Sequence, residues 1–284
     1  MSEGKSGVAL SPWFPCPPRS DVELHLLCFP YAGGTSSIYR DWSSILPDWV
    51  QVIPMRLPGR QERAEEPPQT SMRRLVGSVA FALAPFASRP LALFGYSMGA
   101  LIAYELAIHL QRRQGSPPCA LLVGAHRAPH RRGLVRETHV LSDAEFVDFV
   151  AALGGIPARL RQDTDLLAAV LPSMRADAAL IETYRHSQSD LLRCPVTVFS
   201  GRDDSAATPA EALAWSELAA APIRAHVLPG GHFFIRDHQE TFLRMLRAEL
   251  ESVRDVLRLL PEDGLRPLSP RVTPARAAWR WMRA

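Results

Sequence analysis

Lysine is almost absent from this chain. Lys5 is the only lysine in 284 residues, although lysine and arginine together number 32. Aspartate and glutamate number 29, so the formal net charge is only +3. A chain with so small an excess of positive charge lacks the electrostatic footprint of a nucleic-acid-binding protein. We therefore expect no nucleic-acid partner. We interpret the preference for arginine over lysine as a general compositional bias of the source, without a functional meaning.

Long hydrophobic runs are absent as well. No apolar stretch reaches the roughly 18 residues that a membrane-spanning helix needs. Residues 1–10 are polar and contain glycine, without the basic region and following apolar region that mark a secretory signal. We therefore expect neither a membrane partner nor secretion.

Cysteine is scarce and unpatterned. The four cysteines are Cys16, Cys28, Cys119 and Cys194, and no pair of them has C-x-x-C spacing. The last three lie in or beside predicted buried strands, which is typical of reduced thiols in a protein core and favours a reducing cytoplasm. No cluster of histidine, cysteine and aspartate has the spacing of metal ligands, so no metal is expected.

Hydrophobic residues make up 47% of the chain, enough to fill the core of one large domain. Short apolar runs alternate with helical patterns, which predicts an α/β fold with a mostly parallel central sheet flanked by helices. The predicted strands are 22–29, 50–54, 91–94, 120–125, 195–200 and 223–228. The predicted flanking helices are 38–46, 71–86, 100–113, 209–220 and 235–259. Around this domain (21–258), residues 1–20 and 259–284 are expected to be loose tails.

The segment 126–190 interrupts the alternation, because it contains helical patterns and no predicted strand. Ser142 and Glu145 have the spacing of a capping box, and the helix that they predict stops near 154–157. A second helical pattern covers about 163–186, with an interruption expected at Pro172. An insertion of this kind predicts a helical cap over the carboxyl edge of the sheet. The alternative is a satellite helical layer without a role in the site.

The most informative motif is the stretch 94–100, in which Gly95, Ser97 and Gly99 form the pattern G-x-S-x-G. It follows a predicted strand and precedes a predicted helix, which is the context of a nucleophile elbow. The serine would be the nucleophile, and the N–H of Met98 at the helix N-terminus would face the developing oxyanion. The alternative is a small-residue turn with a surface serine.

A serine nucleophile needs a base, and the base needs an acid that orients it. His232 follows the last strand on a Gly-Gly turn and is the best-placed base. Asp203 and Asp204 both follow the strand 195–200, and either could be the acid. The glycine-containing loop 29–34 offers the N–H of Ala32 as a second oxyanion donor. All these loops follow carboxyl ends of strands, where open α/β sheets place their sites.

The chain resembles the discrete type II thioesterases of polyketide and nonribosomal peptide synthesis, from about residue 24 to 250. The matching segments are 29–34, 57–60 with Arg63, 94–100, 171–177 with Glu182 and Tyr184, and 230–234. The family places its acid at the fourth residue of a G-x-x-D loop, which selects Asp204 rather than Asp203. Tyr31 and Tyr96 stand where many relatives have histidine. Because the oxyanion donor is a backbone N–H, activity is expected to survive these changes.

The resemblance implies an α/β-hydrolase fold with a helical lid. It also implies hydrolysis of acyl groups from the 4'-phosphopantetheine arm of acyl or peptidyl carrier proteins, without a cofactor of the enzyme's own. The usual role is editing, which removes stalled or wrong acyl units. We expect a monomer, with Tyr31 and Phe149 at the substrate. The acidic carrier is expected at the arginines where the chain enters the cap, namely Arg127, Arg131, Arg132 and Arg136.

Three other functions remain possible from the sequence. The elbow also fits a carboxylesterase or lipase that acts on small free esters. A non-catalytic interaction module with this fold is opposed by the complete set of serine, histidine and aspartate. A chain-terminating thioesterase cut from a larger synthase is opposed by the absence of a carrier-type Asp-Ser-Leu motif.

Overall fold

The computed structural model describes residues 11–114, 117–131, 137–156 and 158–259. Its centre is a six-stranded sheet with the order β2-β1-β3-β4-β5-β6, in which every neighbouring pair is parallel. The strands are β1 (Leu24–Phe29), β2 (Val50–Pro54), β3 (Leu91–Tyr96), β4 (Ala120–Gly124), β5 (Val196–Gly201) and β6 (Arg224–Leu228). The predicted α/β fold with a parallel sheet is confirmed.

Helices cover both faces of the sheet, which explains why its inner strands are apolar runs without alternation. In β1, Leu27 points into one core cluster and Leu26 into the other, and both are fully buried. The α-helices are α1 (Trp42–Ile45), α2 (Met72–Ala82), α3 (Met98–Gln114), α4 (Asp143–Ala152), α5 (Ala158–Gln162), α6 (Thr164–Glu182), α7 (Pro209–Leu213), α8 (Phe234–Asp237) and α9 (Gln239–Leu259).

Several predicted helices are shorter or divided. The expected helix 38–46 is a 3-10 turn at Ser36–Tyr39 followed by α1. The expected helix 209–220 continues from α7 as a 3-10 turn, Ala214–Leu218. The expected helix 235–259 is broken at His238, which separates α8 from α9. Hydrophobic spacing alone does not distinguish one α-helix from two short pieces that bury the same side chains.

The interruption expected at Pro172 is wrong, since α6 runs through it without a break. Proline removes one helical hydrogen bond, but its neighbours Leu171 and Met174 are buried in a third core cluster. Tertiary packing of this face therefore outweighs the local cost of the proline.

The prediction of a loose tail over residues 1–20 is also wrong for its second half. Phe14 is only 1% exposed and packs edge-on against Phe86, with ring centroids 5.0 Å apart. Trp13 accepts the N–H of Arg56 at its carbonyl and lies under the guanidinium of Arg63. Residues 1–10 and 260–284, where the rest of the expected tails falls, lie outside the described residues.

The cap leaves the sheet after β4 and returns at β5, although these two strands are hydrogen-bonded neighbours. Among the described residues between them, α4, α5 and α6 are helical and none forms a strand of the sheet. The capping box at Ser142 and Glu145 begins α4 as predicted. Phe146, Leu171 and Met174 belong to the cap's own core cluster.

Candidate active site

Ser97 stands at the turn between β3 and α3 with a φ of 52°, in the left-handed region that L-residues rarely adopt. The flanking glycines make this turn possible. A Cβ on Gly95 would lie 2.1 Å from the carbonyl oxygen of Gly99, and one on Gly99 would lie 2.1 Å from that of Phe29. Strand, turn and helix therefore pass too close for any side chain at either position.

The structure brings together the three side chains that the sequence predicts. The Nε2 atom of His232 lies 3.0 Å from the Oγ atom of Ser97, and its Nδ1 atom lies 2.9 Å from an oxygen of Asp204. An acceptor at Nδ1 requires the tautomer that carries its proton there, which leaves the lone pair of Nε2 facing the serine hydroxyl. This arrangement suits removal of the serine proton.

The two candidate acids differ in their surroundings. Asp204 is 2% exposed, and its second oxygen accepts the N–H groups of Ala206 and Ala207 at 2.9 and 3.0 Å. Asp203 is exposed and donates its backbone N–H to the carbonyl of Gly230. The geometry therefore matches Asp204 as the partner of the histidine and Asp203 as a turn residue.

The two expected oxyanion donors lie next to the serine. Met98 is the first residue of α3, so its N–H has no partner within the helix. Ala32, in the loop that follows β1, lines the same cavity as Ser97 and His232. The N–H of the next residue, Gly33, is held by the carboxylate of Asp177 at 2.8 Å.

A cavity of about 500 Å³ opens above Ser97 and His232. Both apolar and polar side chains line this cavity. The apolar part includes Tyr31, Phe146, Phe149, Val150, Met174 and Phe233. The polar part includes His130, Arg131, Thr138, Glu182, Tyr184 and His186. A thioester bound here would find apolar side chains for its acyl chain and polar side chains for its arm.

His126 also lines this cavity, and the sequence had not pointed to it. Its Nδ1 atom hydrogen-bonds to the carbonyl oxygen of Arg127, so the proton of the neutral ring resides on Nδ1. Enclosure by protein lowers the pKa of His126 to about 4, with smaller contributions from nearby positive charge. The ring is therefore neutral near pH 7 and presents no charge to an acyl chain.

Two of the four expected carrier-binding arginines, Arg127 and Arg131, lie among the described residues and have protein partners. Arg127 pairs with Glu211 at 3.1 Å and donates to the carbonyl of Ala206. Arg131 pairs with Glu217 at 2.6 Å in an exposed ion pair, which is worth at most about 1 kcal/mol. Arg132 and Arg136 lie outside the described residues.

Two long-range contacts were not predicted from the sequence. The guanidinium of Arg60 meets the carboxylate of Asp177 in the cap, and the hydroxyl of Tyr96 donates to the carbonyl of His232. Each pair joins residues more than a hundred positions apart, so no local pattern could reveal it. The family-matching segments 57–60 and 171–177 contain Arg60 and Asp177, but neither segment indicates that the two residues pair.

The described residues offer neither a membrane-spanning helix nor a metal-binding cluster. Within them, no helix is both long and apolar enough to cross a membrane. Within the same residues, no group of three or more histidine, cysteine or acidic side chains is arranged so that it could hold a metal ion.

Comparison with known proteins decides the family. The family model described as "Thioesterase domain" matches residues 24–250. The chain belongs to the thioesterase family. This thioesterase is 36% identical over 221 residues to "Thioesterase PikA5" of Streptomyces venezuelae, covering 78% of either chain. It is also 36% identical over 252 residues to "Linear gramicidin dehydrogenase LgrE" of Brevibacillus parabrevis, covering 87% of this chain and 96% of the relative.

A solved structure gives the same result for the fold. RedJ, a thioesterase from the prodiginine biosynthetic pathway in Streptomyces coelicolor, superposes on this thioesterase with a TM-score of 0.77 at 39% identity. The match covers 82% of this chain and 93% of RedJ. The expected resemblance to type II thioesterases and the α/β-hydrolase fold are thereby confirmed.

Proposed function

We propose that this protein hydrolyses acyl groups from the phosphopantetheine arm of carrier proteins and edits stalled or aberrant units in polyketide or nonribosomal peptide synthesis. The observation that carries the proposal is the hydrogen-bonded series Ser97–His232–Asp204, of which Ser97 and His232 line a mostly apolar cavity. The thioesterase family supports the reaction class. Relatives whose names place them in such pathways support the substrate class.

The proposed first step is acyl transfer to the serine. The Oγ atom of Ser97 attacks the thioester carbonyl carbon while the Nε2 atom of His232 takes its proton. Negative charge develops on the carbonyl oxygen, where the N–H groups of Ala32 and Met98 stabilise it. The C–S bond then breaks, and His232 returns the proton to the departing thiolate.

The second step is hydrolysis of the acyl-serine. A water molecule loses a proton to His232 and attacks the ester carbonyl, forming a new C–O bond. The bond to the Oγ atom of Ser97 breaks, the serine recovers its proton from His232, and a free carboxylic acid leaves. Asp204 stabilises the imidazolium form of His232 in both steps.

The carrier-protein partner is the finer part of the proposal. Arg131 lies at the polar wall of the cavity and is exposed, paired only with the exposed carboxylate of Glu217 among the described residues. Because such a pair contributes little, a phosphate or an acidic carrier surface can compete for its guanidinium. Arg132 and Arg136 extend the positive sequence patch. We propose that the enzyme acts as a monomer in the cytoplasm, where its cysteines stay free.

The name of LgrE is that of a dehydrogenase, and this chain offers that reaction little support. The usual dinucleotide fingerprint, G-x-G-x-x-G after a strand, does not occur in the sequence. The turn after β3 instead presents a serine with a base at 3.0 Å. Hydrolysis is therefore the activity that the site supports.

The test compares three substrates under identical conditions: an acyl-carrier protein thioester, the same acyl group on a small thiol, and the same acyl group as a free ester. We expect kcat/KM to be highest for the carrier thioester. Ser97→Ala and His232→Ala should each lower kcat at least about 10³-fold. Preference for the free ester would favour an esterase. Unchanged hydrolysis by Ser97→Ala, or absence of fluorophosphonate labelling of the wild type, would overturn the mechanism.

A further inference from the structure

A buried ion pair joins the cap to the core domain beside the serine. The guanidinium of Arg60 contacts both carboxylate oxygens of Asp177 at 2.7 Å, in a two-point arrangement. The side chains are only 8% and 4% exposed. Arg60 precedes a 3-10 turn after β2, whereas Asp177 lies in α6 of the cap.

The same two side chains hold the loop between β1 and the 3-10 turn at Ser36–Tyr39. One oxygen of Asp177 accepts the N–H of Gly33 at 2.8 Å. From the other side, Arg60 donates to the carbonyl oxygen of Gly34 at 3.1 Å. One ion pair therefore fixes two peptide groups of this loop, Ala32–Gly33 and Gly34–Thr35, on either side of the Gly33–Gly34 peptide.

The helix that carries Asp177 also packs on this loop. Gly33 has a φ of +73°, and a Cβ placed on it would lie 3.2 Å from the Cγ atom of Met174, one turn earlier in α6. The loop thus has no free space on the side of the cap. The backbone conformation of this loop therefore depends on the position of α6.

Burial of an ion pair is weak evidence for stability, because desolvation of both charges offsets most of their attraction. A pair that also binds two peptide groups of the same loop is better explained by the geometry that it imposes. An oxyanion donor is effective only when it is aimed at the position that the negative oxygen will occupy. The N–H of Ala32 shares its peptide group with the carbonyl of Tyr31, which accepts the N–H of Gly34 at 2.8 Å. A shift of Gly33 and Gly34 would therefore turn the N–H of Ala32 away from that position.

We propose that Asp177 and Arg60 are positioning residues that orient the N–H of Ala32 and so couple the cap to oxyanion stabilisation. The inference rests on the proposed function, in which Ala32 is one of the two donors. Its consequence is that the oxyanion hole is complete only while α6 is seated on the loop. Displacement of the cap withdraws Asp177 and weakens the site, although Ser97, His232 and Asp204 are not part of the cap.

The experiment compares Asp177→Asn with Asp143→Asn. Asp143 lies in α4 and forms an ion pair with Arg175 of α6 at 2.6 Å, but it contacts no residue of the oxyanion loop in the described structure. On a small acyl thioester, Asp177→Asn should lower kcat about 10- to 100-fold, with KM changed less than 3-fold. Asp143→Asn should change kcat less than 2-fold. Melting temperatures of both variants ensure that only folded protein is assayed.

A second measurement separates positioning from general damage to the cap. A trifluoromethyl ketone adds to the nucleophilic serine and places an oxyanion in the hole, whereas the product acid does not. Affinity for the ketone should fall in parallel with kcat in Asp177→Asn, while inhibition by the product acid stays within 3-fold. The double variant Arg60→Gln, Asp177→Asn should be no slower than the slower single variant, because both changes break one unit.

The proposal is overturned if folded Asp177→Asn retains kcat within 2-fold, or if ketone and product affinities fall equally. These outcomes leave the proposed function intact, since that depends on hydrolysis by the wild type and its loss in Ser97→Ala. A wild type without thioesterase activity would refute the proposed function instead. Ketone binding by the two variants would still test the coupling in that case.

Discussion

The hydroxyl of Tyr96 donates a 2.6 Å hydrogen bond to the main-chain carbonyl of His232. Tyr96 is the residue before the nucleophile, and its side chain is fully buried, which raises the pKa of its hydroxyl far above the usual range. The backbone N–H of Ile235 in turn points at the same hydroxyl at 3.4 Å. One side chain thus connects the elbow directly to the loop that carries the base.

We expect Tyr96→Phe to lower kcat about 5- to 10-fold, because one buried hydrogen bond of about 1 kcal/mol is lost and the His232 loop gains freedom. KM should change little, since Tyr96 is fully buried and is not among the residues that line the cavity. Tyr104→Phe is the matched control, because it removes a 2.9 Å bond to His186 away from the triad. Steady-state kinetics of both variants check this. Equal losses in the two variants would contradict a specific effect on His232.

Asp204 and Asp203 provide an adjacent pair for testing the acid. Asp204→Asn should lower kcat by about 10²- to 10⁴-fold, because an amide at this position favours the wrong tautomer of His232. Asp203→Asn should stay within 3-fold of the wild type, since its side chain is exposed. The measurement is kcat on a small acyl thioester. If the two effects were reversed, the acid would have to be reassigned.

The elbow glycines give a test of packing. Gly99→Ala should prevent correct folding or cost several kcal/mol, because its Cβ would meet the backbone of Phe29 at 2.1 Å. Gly77→Ala is the control. Gly77 lies inside α2 with nothing within 4 Å of an added Cβ, so alanine there should stabilise the protein by up to about 1 kcal/mol. Chemical denaturation measures both changes, and a stable, active Gly99→Ala would contradict the geometry.

Phe149 in α4 tests the role of the cap. It lines the cavity, so Phe149→Ala should shift the acyl-length preference more than it changes kcat on the shortest acyl substrate. Leu166→Ala, an exposed position at the start of α6, should leave the profile unchanged. A series of acyl thioesters of increasing length provides the measurement. An unaltered profile in Phe149→Ala would mean that the acyl chain does not contact this helix.

His126 predicts how stability depends on pH. Its pKa is lowered to about 4 in the folded state, whereas the unfolded chain has an ordinary value near 6.5. Between these values the unfolded state binds more protons, so the free energy of unfolding falls as pH decreases from 6.5 towards 4. His126→Asn should make the free energy of unfolding depend less steeply on pH, by the equivalent of up to about one bound proton. Denaturation at pH 7.5, 6, 5 and 4 checks it, and an unchanged slope would contradict the assignment.

The three side chains proposed for catalysis could be located in the sequence because each one follows a strand and is marked by nearby glycines. The elbow around Ser97 and the turn before His232 are local patterns, and sheet topology brings their loops together. The choice of Asp204 over Asp203 came from family resemblance, whereas burial distinguishes them directly in the structure.

The remaining features depend on tertiary contacts that no local pattern encodes. The pairing of Arg60 with Asp177 spans 117 positions and the contact of Tyr96 with His232 spans 136. The uninterrupted helix at Pro172 and the burial of Phe14 likewise result from packing that outweighs local propensity and composition.

The cap begins and ends at two strands that are hydrogen-bonded to each other, β4 and β5. Because the two strands are parallel, the cap leaves at the carboxyl end of β4 and returns at the amino end of β5, so its attachment points lie at opposite edges of the sheet. The sheet keeps its register whatever the length of chain between them. Halving or doubling the length of the cap segment changes the free-energy cost of closing it as a loop by only about 0.6 kcal/mol. During evolution the cap could thus be lengthened, shortened or replaced without disturbing the sheet. The condition is that an acidic residue of the cap still reaches Arg60.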